Sequence, residues 1–392
     1  MNKAILLPEI QEFIEKNLDY DLSRLILKGS PFPQVTIQEF ATQIHGKQKI
    51  KQKLPTWYQT KNIFYPPQIN IEQTSSEITA EYKAALVEGD SLIDITGGLG
   101  VDTYYFANRF KKVIHIEINE ELSQIAAHNF WVLGKNNIAT NCKDGIEFLK
   151  HTDQTFSCIY IDPARRGDYG GKVFLLEQCT PDITTHLDLL FLRTENILIK
   201  TSPLLDLTSG IRELQHTKEI HIVSVNNDVK ELLWILQKDY SGDILIKTVN
   251  LQGTNNQYFE GPFDKISETS SLSQPLKFIY EPNPAVMKSG LFGVLAKQTN
   301  TSKLHINSHI YTSDVLLDFP GRRFEIKEVL PYSNKIKKSL GLKKANITIR
   351  NFPKSVETIR NELKIADGGN DYLFFTTNMN NEKIVLICEK TS

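Results

Sequence analysis

The sequence predicts an α/β fold, with a mostly parallel, doubly wound sheet between an N-terminal helical region and small C-terminal α+β domains. Short apolar segments alternate with helical stretches between residues 91 and 250, which is the pattern of a parallel sheet. A glycine-rich turn directly follows the first of these segments. The chain has 392 residues. Because one domain usually has about 100–200 residues, we expect two or three units.

The predicted strands of the sheet are short apolar runs bounded by polar or glycine residues. Between the second and third strands lies a predicted helix, which Asn119 caps and Gly134 ends. The apolar residues at 232–236 predict a further helix, packed in the core. The strands are Ser91–Ile95, Lys112–Ile116, Ala139–Cys142, Phe156–Ile161, Asn196–Lys200, Glu219–Val225 and Asp243–Asn250.

The N-terminal region is expected to be helical. Pro8 suits a first helical position, and Thr36 can cap a second helix that stops near Gly46. Between Phe40 and Ile71 the chain has no acidic residue, and five lysines are interleaved with aromatic residues. This mixture suits phosphate contact and base stacking, so the segment is one candidate nucleic-acid surface. The aromatic residues are Trp57, Tyr58, Phe64 and Tyr65.

Composition also suggests where the chain divides. Residues 253–274 are rich in Asn, Ser, Thr and Gly and show little periodicity, so they are the predicted boundary of the α/β core. We therefore expect four regions, with a helical region first, the core second and two small α+β domains last. Their predicted limits are 1–73, 74–252, 275–324 and 325–392.

Charge and cysteine content exclude several classes of protein. The formal net charge is −1, and hydrophobic residues make up 40% of the chain, which argues against global disorder. The four cysteines form no CxxC pair, so neither a disulfide framework nor a zinc ribbon is expected. No signal peptide and no apolar run near the roughly 20 residues of a membrane span is present. These features predict a cytoplasmic protein without a membrane partner and leave its oligomeric state open.

The main chemical signal is a glycine-rich turn between a strand and a helix, with the sequence Asp94-Ile95-Thr96-Gly97-Gly98-Leu99-Gly100-Val101-Asp102-Thr103. Glycine lets the backbone approach a ligand closely, and a helix N-terminus adds positive potential. The turn is therefore a candidate cofactor loop. Its candidate contacts are Asp94, Thr96, Gly97, Gly98, Gly100, Asp102 and Thr103.

Three further acidic residues follow successive strands. Glu117 ends the second strand, where a carboxylate can accept both ribose hydroxyl protons. Asp144, next to Gly145, follows the third strand and can accept from an adenine amine, and Asp162 ends the fourth. Ligands of open α/β sheets bind outside the carboxyl ends of the strands. All these acids are therefore expected to line one crevice.

These motifs resemble those of class I S-adenosylmethionine-dependent methyltransferases over roughly residues 74–250. The resemblance implies a Rossmann-like, seven-stranded, mostly parallel sheet with one antiparallel strand near its edge, and S-adenosyl-L-methionine as cofactor. It also implies that Ile118 and Gly145 contact the cofactor. More narrowly, the chain resembles bacterial methyltransferases with a ferredoxin-like insert and a C-terminal THUMP-like domain. The residues that carry this narrower resemblance are 162–167, 311–314, 319–322 and 349–353.

THUMP domains belong to RNA-modifying enzymes, so the resemblance implies RNA, tRNA or rRNA, as substrate. In methyltransferases that act on exocyclic amines, an Asp/Asn-Pro-Pro-aromatic turn supplies the acceptor. Here Asp162-Pro163 is kept, but Ala164-Arg165 replaces the second proline and the aromatic residue. Tyr169 can supply the missing ring, and the sequence leaves a tyrosine in a glycine loop as the alternative. We expect N-methylation of a base, with Asp162 as hydrogen-bond acceptor or base.

Other residues near this turn have weaker assignments. Arg165 and Arg166 can hold a phosphate, and Ser202 can orient the substrate, although a structural ion pair or a helix cap explains them equally well. The turn also resembles that of RNA 5-methyluridine methyltransferases, which attack the ring with a cysteine. That place holds Lys200-Thr201-Ser202-Pro203, so methylation at C5 by this route is rejected.

The C-terminal domain is basic. Residues 322–364 contain twelve Lys or Arg and four Glu, which indicates phosphate contact. The candidate contacts are Lys343, Lys344 and Arg350. His305 and His309 lie four apart but within a predicted strand, Leu304–Ile310, so no metal site is expected.

The same motifs suggest three alternatives to an RNA methyltransferase. One is methylation of a protein or small molecule on the same core. Another is a non-catalytic RNA-binding protein that keeps the cofactor fold. The third is a nicotinamide dehydrogenase, but its Gly-x-Gly-x-x-Gly pattern would need glycine where Thr103 stands.

Overall fold

A computed structural model describes residues 1–165, 175–333 and 336–391, with the side chains of Arg165, Lys337 and Lys338 left out. The chain forms two compact units. The first contains Met1–Lys218 and Leu232–Ser241, and the second contains Glu219–Glu231 and Gly242–Ser392.

The helices of the first unit begin with an N-terminal group and continue between the strands of the core. Pro8 is the first residue of α1, and Thr36 forms a capping box with Glu39 at the start of α3, as predicted. The helices are α1 (Pro8–Lys16), α2 (Leu22–Lys28), α3 (Ile37–Lys53), α4 (Pro55–Gln59), α5 (Gln68–Gln73), α6 (Glu77–Ala85), α7 (Val101–Phe106), α8 (Glu120–Val132), α9 (Gly145–His151), α10 (Leu187–Phe191) and α11 (Leu207–Glu213).

Helix α3 was predicted to stop near Gly46, but it continues to Lys53. Gly46 is buried, and a Cβ atom there would lie 2.5 Å from the Cβ of Tyr65. The glycine therefore lets α3 pack closely against Tyr65 in the middle of the helix. A single sequence does not distinguish a glycine with this role from one that ends a helix.

The core sheet has nine strands, not seven, and this corrects the expected strand number. The strand order is β11-β10-β8-β9-β7-β4-β1-β2-β3, and β5 pairs only with β6 in a separate ribbon. The strands are β1 (Gly89–Asp94), β2 (Phe110–Glu117), β3 (Ile138–Cys142), β4 (Cys158–Ile161), β5 (Ala164–Arg165), β6 (Cys179–Thr180), β7 (Asn196–Thr201), β8 (Thr217–Val225), β9 (Asp228–Gln237), β10 (Leu245–Leu251) and β11 (Gln257–Pro262).

The pairs β7–β4, β4–β1, β1–β2 and β2–β3 are all parallel, which confirms the predicted α/β fold. Strand β9 is antiparallel to β7, with Ile197 opposite Leu236 and Thr201 opposite Leu232. The sequence predicted a helix at 232–236, and that prediction was wrong. These residues form a continuous apolar run, and periodicity alone cannot tell such a run from a buried helix.

Strand β11 accounts for part of the difference in strand number. It lies inside the segment that was predicted as a boundary, and it pairs antiparallel with β10. Its Phe259 is buried whereas its neighbour Tyr258 is exposed. A two-residue alternation over so few residues, within a polar segment, gives a weak sequence signal.

The second unit also contains a seven-stranded sheet, in the order β13-β14-β12-β15-β18-β17-β16. Its helices are α12 (Pro284–Ser289), α13 (Phe292–Gln298), α14 (Ile336–Leu340) and α15 (Val356–Leu363), and its own strands are β12 (Phe278–Pro282), β13 (Ser302–Lys303), β14 (Tyr311–Ser313), β15 (Gly321–Pro331), β16 (Lys344–Ile349), β17 (Ala366–Thr377) and β18 (Lys383–Lys390).

The predicted strand Leu304–Ile310 is a loop. Its ends are both buried, and the backbone N–H of Leu304 donates to the carbonyl of Ile310 at 3.0 Å, which closes the loop between β13 and β14. The apolar residues at the two ends mark where the loop enters the core.

Candidate cofactor and substrate crevice

The loop after β1 is organised by a buried carboxylate. Oδ1 of Asp94 accepts from the backbone N–H of Thr96 at 3.0 Å, and Oδ2 accepts from the Thr103 hydroxyl at 2.7 Å. Burial, helped by the charges of Asp102 and Asp162, raises the pKa of Asp94 to about 7 against these hydrogen bonds. The Asp94 carboxylate therefore connects the start of the glycine loop, at Thr96, with the helix that follows it, at Thr103.

The three glycines of the loop have different tasks. A Cβ on Gly97 would lie 2.3 Å from Nε2 of His115, and one on Gly100 would lie 2.2 Å from Cζ of Phe130. These two glycines are required by packing. Gly98 has a φ of +56°, and a Cβ there would meet no atom of the described residues nearer than the Thr96 carbonyl oxygen at 3.9 Å. Among these residues, the backbone at Gly98 therefore borders open space, where a ligand can approach it.

His115 supports the loop from the neighbouring strand. Burial lowers its pKa to about 4, so the ring is neutral at physiological pH. Its Nε2 lies 3.2 Å from the carbonyl oxygen of Gly98. A neutral ring can hold its proton on Nε2 and donate it to this carbonyl.

Glu117 connects the end of β2 to the glycine loop. Its Oε2 accepts from the N–H of Gly98 at 2.8 Å, and its Oε1 accepts from the N–H of Asn119 at 2.7 Å. The next residue, Ile118, exposes 68% of its surface although its side chain is apolar. A carboxylate followed by an exposed apolar side chain suits a ribose and the flat face of a base.

Asp102 is enclosed in a buried polar network. Its Oδ2 accepts from the hydroxyls of Ser75 and Tyr160, each at 2.8 Å, and Lys83 lies 3.2 Å from its Oδ1. Burial opposes the charge of Asp102, but Lys83, Lys200 and the two hydroxyls outweigh it and hold the pKa below its usual value. Through this network, Asp102 holds the segment that contains Ser75 against the helix that follows the glycine loop.

Asp162 stands at the end of β4 and meets two neighbours. Its backbone N–H donates to the Thr96 hydroxyl oxygen at 2.7 Å, and its Oδ2 is paired with Nζ of Lys200. The sequence did not predict this ion pair. Lys200 was noted only because it begins the segment where 5-methyluridine methyltransferases have their cysteine. A lysine at the carboxyl end of an apolar strand was the available signal.

The other predicted residues near Asp162 have varied settings. Pro163 is buried, and Ala164 begins the β5–β6 ribbon. The side chain of Arg165, and all of Arg166 and Tyr169, lie outside the described residues. Ser202 accepts from the N–H of Leu204 at 3.3 Å, in the turn after β7.

Asp144 caps α9 by accepting from the N–H of Glu147 at 2.9 Å, and it is exposed. Gly145 is held against the end of β1, since a Cβ there would lie 2.3 Å from the carbonyl oxygen of Ile95.

The hydrogen bonds described above connect five of the predicted site residues into one group. These residues are Asp94, Thr96, Gly98, Glu117 and Asp162.

The lysine-rich N-terminal segment does not present its aromatic rings for stacking. Trp57, Phe64 and Tyr65 expose 1%, 5% and 5% of their surfaces. Asn129 of α8 bonds both the N–H and the carbonyl of Phe64, at 2.8 and 2.9 Å. These aromatic residues pack the helical region and the core, so the prediction of base stacking by these three rings was wrong.

The basic residues of the C-terminal unit are largely paired with acids. Arg350 and Arg322 both bind Glu281, whose side chain is only 5% exposed. Lys327 pairs with Glu325 and Glu389, Lys354 with Glu362, and Arg360 with Asp367. Lys343 and Lys344 are exposed and form no ion pair with the described residues. The cationic surface is therefore smaller than residue counts suggested.

Within the described residues, no cluster of three His, Cys, Asp or Glu side chains could hold a metal ion. No helix among them combines the length and hydropathy needed to cross a membrane.

An open α/β sheet with a glycine loop after one strand, a carboxylate at the end of the next and an Asp-Pro turn after a third is the core of a methyltransferase. A family model for RNA cap guanine-N2 methyltransferase matches residues 89–235, a ferredoxin-like domain model matches 278–320, and a THUMP domain-like model matches 321–390. No curated protein matches the chain.

The chain is similar along its whole length to a solved structure, a "putative methyltransferase" from Porphyromonas gingivalis W83. The two share 31% identity with a TM-score of 0.90, over 100% of this chain and 99% of that one. The chain belongs to the family of methyltransferases that this protein represents, with ferredoxin-like and THUMP-like domains.

Two further matches have lower identity and cover less of the chain. A "putative methyltransferase" from Streptococcus mutans in complex with SAH has 14% identity and a TM-score of 0.31, over 41% of this chain and 96% of that one. An rRNA methylase from Streptococcus thermophilus has 14% identity and a TM-score of 0.30, over 41% and 94%.

Proposed function

We propose that this protein is an S-adenosyl-L-methionine-dependent methyltransferase that N-methylates a base in structured RNA, either tRNA or rRNA. The observation that carries the proposal is the position of Asp162. Thr96 holds its backbone to the glycine loop at 2.7 Å, and the same loop is bonded to Glu117 at 2.8 Å. An acceptor for the substrate is thereby joined to the proposed cofactor loop.

The residues of the crevice fit the proposed cofactor. Open space beside Gly98 leaves room for a ligand against the backbone. Glu117 would bind the ribose hydroxyls, Ile118 would cover one face of the adenine, and Asp144 with Gly145 would border its edge. When bound, the cofactor supplies a methyl group on a positively charged sulfur.

Asp162 performs the chemistry that remains for the protein. An exocyclic amine is a poor nucleophile because its lone pair is delocalised into the base. A carboxylate that accepts a hydrogen bond from the amine raises its electron density and stabilises the positive charge that develops on nitrogen. The model that matches residues 89–235 is one for guanine-N2 methylation, so the N2 amine of guanine is the first candidate.

RNA would also contact the C-terminal unit. Lys343 and Lys344 are exposed without an acidic partner among the described residues, and a THUMP domain-like model matches this region. Arg350 is occupied by Glu281 at 2.7 Å, so we place the phosphate contacts at the two lysines.

Comparing modified nucleosides in RNA from cells with and without the gene tests this proposal. One methylated nucleoside should disappear on deletion. Purified protein should restore it with labelled S-adenosylmethionine, and the Asp162→Ala variant should not. Asp153→Ala is the control, because Asp153 is exposed and precedes the amino end of β4.

Either of two results would contradict the proposal. Near wild-type turnover by Asp162→Ala would remove Asp162 from the reaction. Labelled methyl found in the protein or small-molecule fraction, with none in RNA, would favour the alternative substrates.

A further inference from the structure

Lys200 occupies a position next to Asp162 in the fold. Strands β4 and β7 are parallel neighbours, with Ile161 opposite Ile199. The next residues, Asp162 just past β4 and Lys200 near the end of β7, therefore lie side by side at the carboxyl edge of the sheet. The Lys200 side chain is only 13% exposed, against 34% for Asp162. The carboxylate thus borders the crevice, while the ammonium group that holds it is mostly enclosed.

The charges around this pair show why a cation is needed. Asp94, Asp102 and Asp162 interact electrostatically, since Asp102 and Asp162 both help to raise the pKa of Asp94. Lys83 lies against Asp102 at 3.2 Å, and Lys200 is the cation on Asp162. Lys200 also helps to lower the pKa of Asp102. Without Lys200, the three neighbouring carboxyl groups would, among the described side chains, have Lys83 as their ion-pair partner and no second lysine.

We propose that Lys200 is a positioning residue for methyl transfer, which holds the Asp162 carboxylate at the crevice, where it faces the substrate amine. The inference rests on the function proposed above and adds a residue to it. An ion pair with a mostly enclosed ammonium group restricts the carboxylate to one position. Asp162 then accepts a hydrogen bond from the amine, and the proton that the amine loses on methylation passes to water.

The charge of Lys200 can be removed or kept by substitution. Lys200→Met removes the charge at similar length, and Lys200→Arg keeps it. With RNA from the deletion strain as substrate, Lys200→Met should lower kcat about 10- to 100-fold at neutral pH. KM for RNA should change much less than kcat, because Lys200 acts on the position of the reacting carboxylate and not on RNA binding. Cofactor affinity should change less than about threefold.

Three comparisons separate positioning from a merely structural role. Lys200→Arg should restore most of kcat, because it keeps the charge that holds Asp162. In an Asp162→Asn background, Lys200→Met should cost little further activity, because a residue that acts through another loses its effect when that residue is changed. Lys111→Met is the control. It breaks an exposed ion pair with Asp90, 2.7 Å long, beside the amino end of β1.

The possible failures are distinguishable. If Asp162→Ala is inactive but Lys200→Met keeps the wild-type kcat, the role of Lys200 is wrong and the proposed function stands. The role is also wrong if both Lys200 variants lose activity equally, or if Lys200→Met costs as much activity in the Asp162→Asn background as in the wild type. If Asp162→Ala is fully active, the proposed function itself fails.

Discussion

The hydroxyl oxygen of Thr96 accepts a hydrogen bond of 2.7 Å from the backbone N–H of Asp162. Sixty-six residues of sequence separate the two, and the bond joins the glycine loop after β1 to the Asp-Pro turn after β4. The proposed cofactor loop and the proposed acceptor are thereby fixed relative to one another.

Substitution of Thr96 by Val should therefore reduce methyl transfer. Val keeps the shape but cannot accept the bond, so the Asp162 N–H loses its partner and stability falls by about 1 kcal/mol. Displacement of Asp162 should lower kcat about tenfold or more. Steady-state kinetics of Thr96→Val and Thr96→Ser measure this. Because Ser keeps the hydroxyl, equal losses in both variants would contradict the role given to the bond.

Removal of the Glu117 carboxylate should weaken binding of S-adenosylmethionine. Glu117→Ala loses the proposed ribose contacts and the bond of 2.8 Å to the Gly98 N–H. Hydrogen bonds to a charged group contribute about 1.5–3 kcal/mol, so Kd should rise about 10- to 100-fold. Calorimetric titration gives the Kd. Glu120→Ala, an exposed change three residues away, is the control and should bind normally.

The raised pKa of Asp94 predicts a pH-dependent stability. Its ordinary value is 3.8, and burial raises the pKa to about 7 in the folded protein. The folded state therefore binds the proton more tightly than the unfolded state. The stabilising contribution is fully present below 3.8 and is lost as pH rises through 7.

Between pH 5 and pH 8 this loss should amount to about 2–3 kcal/mol. Asp94→Asn does not titrate, and its amide can still pair with Thr103 because a hydroxyl can donate or accept. Urea unfolding of both proteins at the two pH values measures the difference. An Asp94→Asn variant with the same pH dependence as wild type would show that Asp94 is ionised in the fold.

Neutralising Lys343 and Lys344 should weaken RNA binding mainly through phosphate contacts. Their replacement by Ala should reduce the slope of log K against log salt concentration by roughly one to two. The control is the pair Lys327→Ala and Lys354→Ala, which removes two lysines of the same unit that already bind Glu325 and Glu362. Filter binding over a salt series measures both slopes. If both double variants lose the same amount of slope, RNA is attracted by the overall positive charge of the unit and not by a defined surface at Lys343 and Lys344.

Features set by near neighbours in sequence were predictable. The Asp94–Thr103 loop, the Thr36 cap and the Asn119 cap depend on hydrogen bonds within a few residues. Alternation of strands and helices likewise predicted the parallel core and placed Glu117 and Asp162 at strand ends. These signals are local, because backbone geometry and capping chemistry act over one or two turns.

Tertiary structure alone decided how those residues are used. The Lys200–Asp162 pair comes from the adjacency of β4 and β7. The identity of β9 as a strand comes from its pairing with β7, which an apolar run does not specify. Arg350 was expected to face RNA but binds the buried Glu281. Sequence by itself determined which residue types stand at each strand end. Packing between distant segments determined which of them are buried, which are paired, and which remain open to a ligand, because burial and charge pairing depend on neighbours that the linear order does not reveal.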